Sequence, residues 1–113
     1  MSRFSRGAIV GSEERGWCDM KIYSESHSCP HRRNGIFSGG SPNVFIEGKP
    51  AIREGDDGIC NCVHSGTFKA SEGSGTVFIN GKAAVRIKDE TTCTQCGEEG
   101  YVTTACQTVF VGD

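Results

Sequence analysis

Two stretches of sequence decide the fold: residues 40–56 read GSPNVFIEGKPAIREGD, and residues 73–89 read GSGTVFINGKAAVRIKD. They are offset by 33 residues, and ten of their seventeen aligned positions are identical without a gap. A truncated third copy, TVFVGD at residues 108–113, ends the chain at the point where the other copies turn. Self-similarity at a fixed period is the signature of a repeat architecture. The chain therefore contains two and a half copies of one unit.

Each full copy predicts a β-hairpin. The segments VFI at 44–46 and 77–79 combine β-branched and aromatic residues, which favour strands. Asn80-Gly81 is a strong hairpin signal, because a type I′ turn needs positive φ at both central positions, and Glu47-Gly48 occupies the equivalent place. No apolar stripe of helical period interrupts this pattern. We expect an all-β fold with long loops.

The length of 113 residues indicates a single domain, 1–113. Within it, residues 39–113 hold the two and a half hairpin repeats, and residues 1–38, the least regular part, are expected to wrap around them. Only 35% of the residues are apolar, so the hydrophobic core is thin for the length of the chain.

Charge and hydropathy exclude several classes of protein. The formal net charge is −2 and the basic residues are scattered, which argues against nucleic-acid binding. No apolar run is long enough to cross a membrane, so no stable membrane insertion is expected. The first residues contain no secretory signal, so synthesis in a reducing cytoplasm is expected, where structural disulfides are disfavoured.

Seven cysteines and three histidines suggest a metal site, because most of them fall in the loops between repeats. His31, His64 and Cys96 each lie thirteen residues before the valine of a VFI-type strand, and Cys60 and Cys93 each lie four residues after the aspartate that closes a hairpin. Loops in this register converge if the repeats surround one axis. Four such ligands in a tetrahedron make a structural zinc site, which would also stabilise a thin core.

Other uses of these residues fit less well. An odd number of cysteines argues against a disulfide framework, and Cys93-Thr-Gln-Cys96 lacks the strand-to-helix context of a redox pair. Cys18 and Cys106 lie outside the repeat register and are expected to be buried thiols. No combination of residues resembles an enzyme active site, so we expect no catalytic activity.

The unit GSPNVFIEGKPAIREGD resembles the PAAR-repeat family, which is named for a proline-alanine-alanine-arginine motif. The resemblance covers residues 27–113, including the second GS-x-x-VFINGK copy and the terminal VFVG segment. The tetrapeptide itself is altered, to PAIR at 50–53 and AAVR at 83–86. The family implies a small cone of β-hairpin repeats with pseudo-threefold symmetry and a metal site near its tip.

The resemblance also implies a function. Family members cap the trimeric β-helical spike of contractile injection machines, either type VI secretion systems or phage tail baseplates, and sharpen it for membrane puncture. This chain would then be a structural protein assembled at the tip of a phage tail in the virion, or secreted with a type VI spike. An alternative function is that of a zinc-binding adaptor module that docks effector proteins.

Family zinc sites combine histidine and cysteine, and the matching positions imply one structural Zn²⁺ held by His27, Cys60, His64 and Cys93. Cys29, His31, Cys62 and Cys96 remain alternatives for individual ligands, and iron remains an alternative to zinc. One tip per spike trimer is expected, with the strand segments forming the contact face: Val44, Phe45, Ile46, Val77, Phe78, Ile79, Val109, Phe110 and Val111.

Overall fold

The computed structural model describes residues 4–18, 31–62 and 66–113, and these residues form β-strands and connections without a helix. The expected all-β class is confirmed. No helix in the described ranges is long and apolar enough to cross a membrane. The twelve strands are β1 (Ser5–Arg6), β2 (Glu13–Cys18), β3 (His31–Phe37), β4 (Phe45–Ile46), β5 (Lys49–Pro50), β6 (Asp57–Cys60), β7 (Thr67–Ala70), β8 (Phe78–Ile79), β9 (Lys82–Ala83), β10 (Glu90–Cys93), β11 (Glu99–Val102) and β12 (Phe110–Val111).

Six of these strands close into a barrel, in the order β10-β11-β2-β3-β6-β7, with β7 paired back to β10. All neighbours in the barrel are antiparallel. The barrel consists of three hairpins, β2-β3, β6-β7 and β10-β11, and the last residues of β2, β6 and β10 lie at one end of it. Between these hairpins the chain leaves the other end of the barrel and forms short two-stranded units.

The two sequence repeats form the expected hairpins, β4-β5 and β8-β9. Glu47 and Gly48 have φ of 54° and 79°, and Asn80 and Gly81 have φ of 55° and 79°. Positive φ at both central positions is the requirement of a type I′ turn. The repeat pattern therefore predicted both the position and the turn of each hairpin.

The third hairpin is assembled from the two ends of the chain. Strand β12, from the terminal copy of the repeat, pairs antiparallel with β1, so that Ser5 lies opposite Val111 and Arg6 opposite Phe110. Residues 5–12 thereby take the place that residues 49–56 and 82–89 take in the complete repeats. The half repeat is completed by the N-terminal segment.

The expectation that residues 1–38 are irregular needs correction, because this range contains β1, β2 and β3. The strand pattern is hard to recognise in sequence for a physical reason. Strands β2 and β3 place charged Glu14 and Arg33 in the barrel interior, where an apolar residue is the usual signal. The inward positions Gly16 and Gly35 carry no side chain at all.

Three equivalent residues meet on the pseudo-threefold axis and exchange backbone hydrogen bonds in a closed ring. The N–H of Ala8 donates to the carbonyl of Val85 (2.9 Å), Val85 donates to Ile52 (3.0 Å), and Ile52 donates to Ala8 (3.0 Å). All three residues are buried. Each repeat supplies one donor and one acceptor, so the ring needs the N-terminal segment as its third member.

A second ring joins the turns at the periphery. Asn80 Oδ1 accepts from Ser41 Oγ and Arg53 of the preceding repeat, and the carbonyl of Gly112 accepts from Arg86. Glu47 completes this second ring. Its carboxylate accepts hydrogen bonds from the N–H and the hydroxyl of Thr108, and these bonds hold the pKa of Glu47 below its ordinary value.

The apolar core lies inside the barrel, next to the ring formed by Ala8, Ile52 and Val85. Phe37 and Phe68 pack edge to face with ring centroids 4.9 Å apart, alongside Val102. Gly35 and Gly58 face the Phe68 ring, because an added Cβ would lie 2.5 Å and 2.6 Å from its atoms. These glycines are therefore required by packing.

Lys88 provides a test of the repeat geometry. It has a φ of 76° at the position where the other repeats place Gly55 (φ 94°) and Gly11 (φ 99°). Left-handed backbone costs a non-glycine residue about 1 kcal/mol. We expect Lys88→Gly to raise the free energy of unfolding by about 0.5–1 kcal/mol in urea titrations at saturating metal.

The matched control is Gly55→Lys, where nothing lies within 4 Å of an added Cβ. This variant is expected to lose about 1 kcal/mol, because only the backbone resists the change. Equal stabilities for both variants and the wild type would contradict the expected cost of a non-glycine residue at this positive-φ position.

Candidate metal centre

Four cysteine sulfurs gather at the end of the barrel where β2, β6 and β10 end. Cys18 is the last residue of β2, and Cys93 is the last residue of β10. Cys62 follows β6 by two residues, and Cys96 lies in the turn between β10 and β11. Because alternate residues of a strand point to the same face, Cys18 and Cys93 continue the inward rows of Glu14 and Thr91. The barrel topology thus brings together residues that are distant in sequence.

The sulfurs of Cys18, Cys62, Cys93 and Cys96 all lie within 4.8 Å of one another. Cys62 Sγ is central to the group, 2.6 Å from Cys18 Sγ and 3.6 Å from Cys93 Sγ. The first three side chains are buried and Cys96 is half-buried. A tetrahedral metal with sulfur ligands at 2.3 Å separates those sulfurs by about 3.8 Å. Four soft donors are the ligand set that zinc or mononuclear iron prefers, and the separation of Cys62 Sγ from Cys93 Sγ is close to this spacing.

A buried ion pair lies directly beneath the sulfurs. The guanidinium of Arg33 donates to both carboxylate oxygens of Glu14, at 3.1 Å and 2.8 Å, and both side chains are fully buried. Thr91 Oγ1 accepts from Arg33 and donates to Glu14. Burial lowers the pKa of Arg33, but the bonds and charge of Glu14 raise it overall.

Arg33 also connects this layer to the loop end of the barrel. Its Nη1 donates to the backbone carbonyls of Trp17 (3.0 Å) and Glu98 (2.9 Å). Trp17 precedes Cys18, and Glu98 follows Cys96 by two residues, so the guanidinium fixes the backbone beside two of the sulfurs. An added Cβ at Gly16 or Gly100 would lie 2.6 Å from Nη2, which explains glycine at both inward positions.

The thiols differ in acidity. Burial raises the pKa of Cys60 to about 11. At Cys93 burial also raises the pKa, but hydrogen bonds from the backbone and thiol of Cys96 and from the backbone of Gln95 outweigh it and lower the pKa to about 7. Metal ligation needs thiolates, so the lowered pKa of Cys93 favours binding of a metal at this sulfur.

The four residues predicted from the sequence to bind the metal are His27, Cys60, His64 and Cys93. Cys93 belongs to the cluster, and Cys60 packs against it without being one of the four sulfurs. His27 and His64 lie outside the described residues, as does Cys29, so a site containing them stays a prediction. Two of the four alternatives, Cys62 and Cys96, are in the cluster.

Cys18 is the ligand candidate that sequence reasoning set aside. Cys18 and Cys106 are both buried, as expected. Cys106 lies apart from the sulfurs, in contact with the carbonyl of Val109, whereas Cys18 joins the cluster. Repeat register missed Cys18 because β2 belongs to the split third repeat. The sequence did offer one signal. Cys18 lies two residues after Gly16 and four after Glu14, so in a strand all three face the same side.

Comparison with known families identifies one match. The PAAR motif matches residues 22–66, which run from the segment before β3 to the end of the β6-β7 loop. The resemblance to the PAAR-repeat family is confirmed over these residues. No curated protein matches the chain.

The cluster predicts which cysteines bind metal. Cys62→Ser removes the central sulfur, so we expect zinc content, measured by elemental analysis, to fall from about one per chain toward zero. The free energy of unfolding should fall by several kcal/mol, because a structural site stabilises the fold directly.

Cys106→Ser is the control for this variant and should retain its zinc, since Cys106 lies outside the cluster. Cys60→Ser separates the two ligand sets. Loss of zinc in Cys60→Ser with full zinc in Cys62→Ser would contradict the four-cysteine centre.

Proposed function

We propose that this protein is a structural spike-tip protein that caps the trimeric β-helical spike of a contractile injection machine and sharpens it for envelope piercing. The PAAR motif supports a role of this kind in secretion or tail machinery. The observation that carries the proposal is a set of three exposed phenylalanines, Phe45, Phe78 and Phe110, at equivalent positions of the three repeats.

These phenylalanines have nearly equal surroundings. Their exposed fractions are 56%, 59% and 57%, and each precedes an aliphatic residue, Ile46, Ile79 or Val111, that packs inward. Such large exposed side chains mark interaction surfaces when they occur together rather than singly. Three equivalent aromatic groups around one axis suit a partner with three equivalent sites.

The symmetry supports one tip per spike trimer. A true trimer presents the same surface three times, and a domain with one unique patch could satisfy only one protomer. In this chain the hairpins β4-β5 and β8-β9 and the composite hairpin β1-β12 offer three similar edges. The contact face predicted from the sequence also includes the residues beside these phenylalanines. Val109 is exposed, and the others are half-buried or buried and support the phenylalanines.

The metal centre completes the proposed role at the opposite end. The cysteines lie at or just after the ends of β2, β6 and β10, whereas the phenylalanines lie on units that leave the other end of the barrel. One structural zinc held by Cys18, Cys62, Cys93 and Cys96 would cross-link the three barrel hairpins at the tip. A four-thiolate zinc has no open position for substrate, which agrees with a mechanical rather than catalytic function.

The proposal also specifies where the protein acts. It is made in the cytoplasm and travels on the point of a phage tail or a type VI spike, without binding nucleic acid or inserting stably in the membrane. An effector protein carried by the tip is compatible with this role.

The phenylalanines provide the test. We expect Phe78→Asp to weaken binding to the cognate spike trimer by about 30-fold or more, because central aromatic residues contribute at least 2 kcal/mol each at interfaces. Combining it with Phe45→Asp and Phe110→Asp should abolish binding in surface plasmon resonance, with zinc content unchanged.

Ile59→Asp is the matched control. Ile59 is 66% exposed on β6, on the flank of the barrel, and its replacement should leave spike binding intact. Unchanged affinity in the triple phenylalanine variant would contradict the proposed docking face. Loss of binding in Ile59→Asp alone would place the contact on the flank and favour an adaptor.

A further inference from the structure

The distances between sulfurs in the cluster are unequal, and ligation of one metal does not explain the difference. Cys62 Sγ and Cys93 Sγ are 3.6 Å apart, close to the spacing of about 3.8 Å in a tetrahedral zinc–sulfur site. Cys62 Sγ and Cys18 Sγ are only 2.6 Å apart. A disulfide bond is about 2.05 Å long, so this second pair is closer to a disulfide than to the spacing of two zinc ligands.

The position of this pair in the barrel makes a bond between them structurally meaningful. Cys18 ends β2, and Cys62 follows β6, two strands that do not pair with each other because β3 lies between them. A bond between the sulfurs would tie two different barrel hairpins together across the tip. This is the same connection that a bound metal makes.

We propose that Cys18 and Cys62 form a redox-sensitive cross-link: they bind metal as thiolates in a reducing compartment and form a disulfide in an oxidising one. The barrel hairpins that carry Cys18 and Cys62 are thus held together in either compartment by one set of residues. The inference uses the four-cysteine centre and does not depend on docking to a spike.

The chemistry balances with a small-molecule disulfide as the oxidant. One cysteine thiolate attacks the external disulfide and releases one thiol, and the second cysteine then displaces the other thiol from the mixed disulfide. The two cysteine thiolates lose two electrons in total, and the external disulfide gains them and leaves as two thiolates, which take up two protons from water. Zinc is not oxidised, and it loses two of its four ligands.

The remaining ligands are too few to hold the metal tightly. Cys93 and Cys96 are separated by two residues in the β10-β11 turn and supply only two sulfurs. Oxidation should therefore release zinc while the barrel stays closed. This outcome distinguishes a switch from oxidative damage, in which metal loss would be followed by unfolding.

The experiment uses the full chain, purified with zinc and treated with excess oxidised glutathione near neutral pH. Released zinc is followed with a chromogenic chelator, and disulfides are assigned by peptide mass spectrometry after alkylation. We expect about one zinc per chain to be released, with Cys18–Cys62 about tenfold more abundant than any other pair that includes either residue.

The controls test whether the oxidised protein stays folded and whether the fold brings the sulfurs of Cys18 and Cys62 together. The oxidised, zinc-free protein should melt at a higher temperature than the reduced protein stripped of zinc by a chelator, because only the former retains a cross-link. Cys106→Ser should behave as the wild type, and Cys18→Ser should lose both the bond and this difference in melting temperature. The same oxidation in concentrated urea should give mixed pairs, since the preference comes from the fold.

Two results would overturn the inference. One is retention of zinc with all cluster thiols still alkylatable after oxidation. The other is a disulfide map in which Cys18 and Cys62 pair with other cysteines as often as with each other. Neither result would bear on spike binding, which is measured separately through Phe45, Phe78 and Phe110.

Discussion

Ala8, Ile52 and Val85 donate backbone hydrogen bonds to one another in a closed ring, and the rest of the molecule is arranged around it. The ring fixes three chain segments at equal positions about one axis. Removing any one segment would leave a buried donor and a buried acceptor unpaired, at a cost of about 1–3 kcal/mol for each group. The three-part architecture is therefore maintained by backbone groups, which tolerate side chains as different as alanine and isoleucine.

The barrel is stacked in layers along the axis. Above the ring lie the apolar side chains of Phe37, Phe68 and Val102, then the pair Glu14–Arg33, and finally the cysteine sulfurs. A buried ion pair is stable only when its remaining donors and acceptors are satisfied, and leaving one partner alone costs about 3–5 kcal/mol. Here Thr91 and two backbone carbonyls supply the additional bonds, so the layer separates the apolar core from the metal centre and orients both.

The repeats were predictable from sequence because their hairpins are encoded locally. Asn80-Gly81 and the VFI segments carry turn and strand signals within a few residues, and the structure has both. Closure of the third repeat was not predictable, since residues 5–12 share little more than Gly11 with their counterparts in the complete units. Gly11 has a positive φ, as Gly55 does. A single glycine does not reveal this requirement in a chain that contains sixteen glycines.

The metal centre was predictable in kind but less so in membership. Clustering of cysteines in the loops indicated a soft-ligand site at one end, and the structure places four sulfurs there. Cys18 joins through the pairing of β2 with β3 and β11, and its alternation with Gly16 and Glu14 is a weak local signal for this position. The family resemblance instead favoured histidines at positions 27 and 64, which lie outside the described residues.

The account as a whole treats the chain as one threefold cap built from three hairpins, of which the chain ends form the last. Native mass spectrometry of this protein with the trimeric spike proposed as its partner tests that claim most directly. The account predicts a single species with one chain per trimer. A complex with three chains per trimer would contradict it, because each protomer would then bind its own copy and the pseudo-threefold symmetry would have no part in recognition.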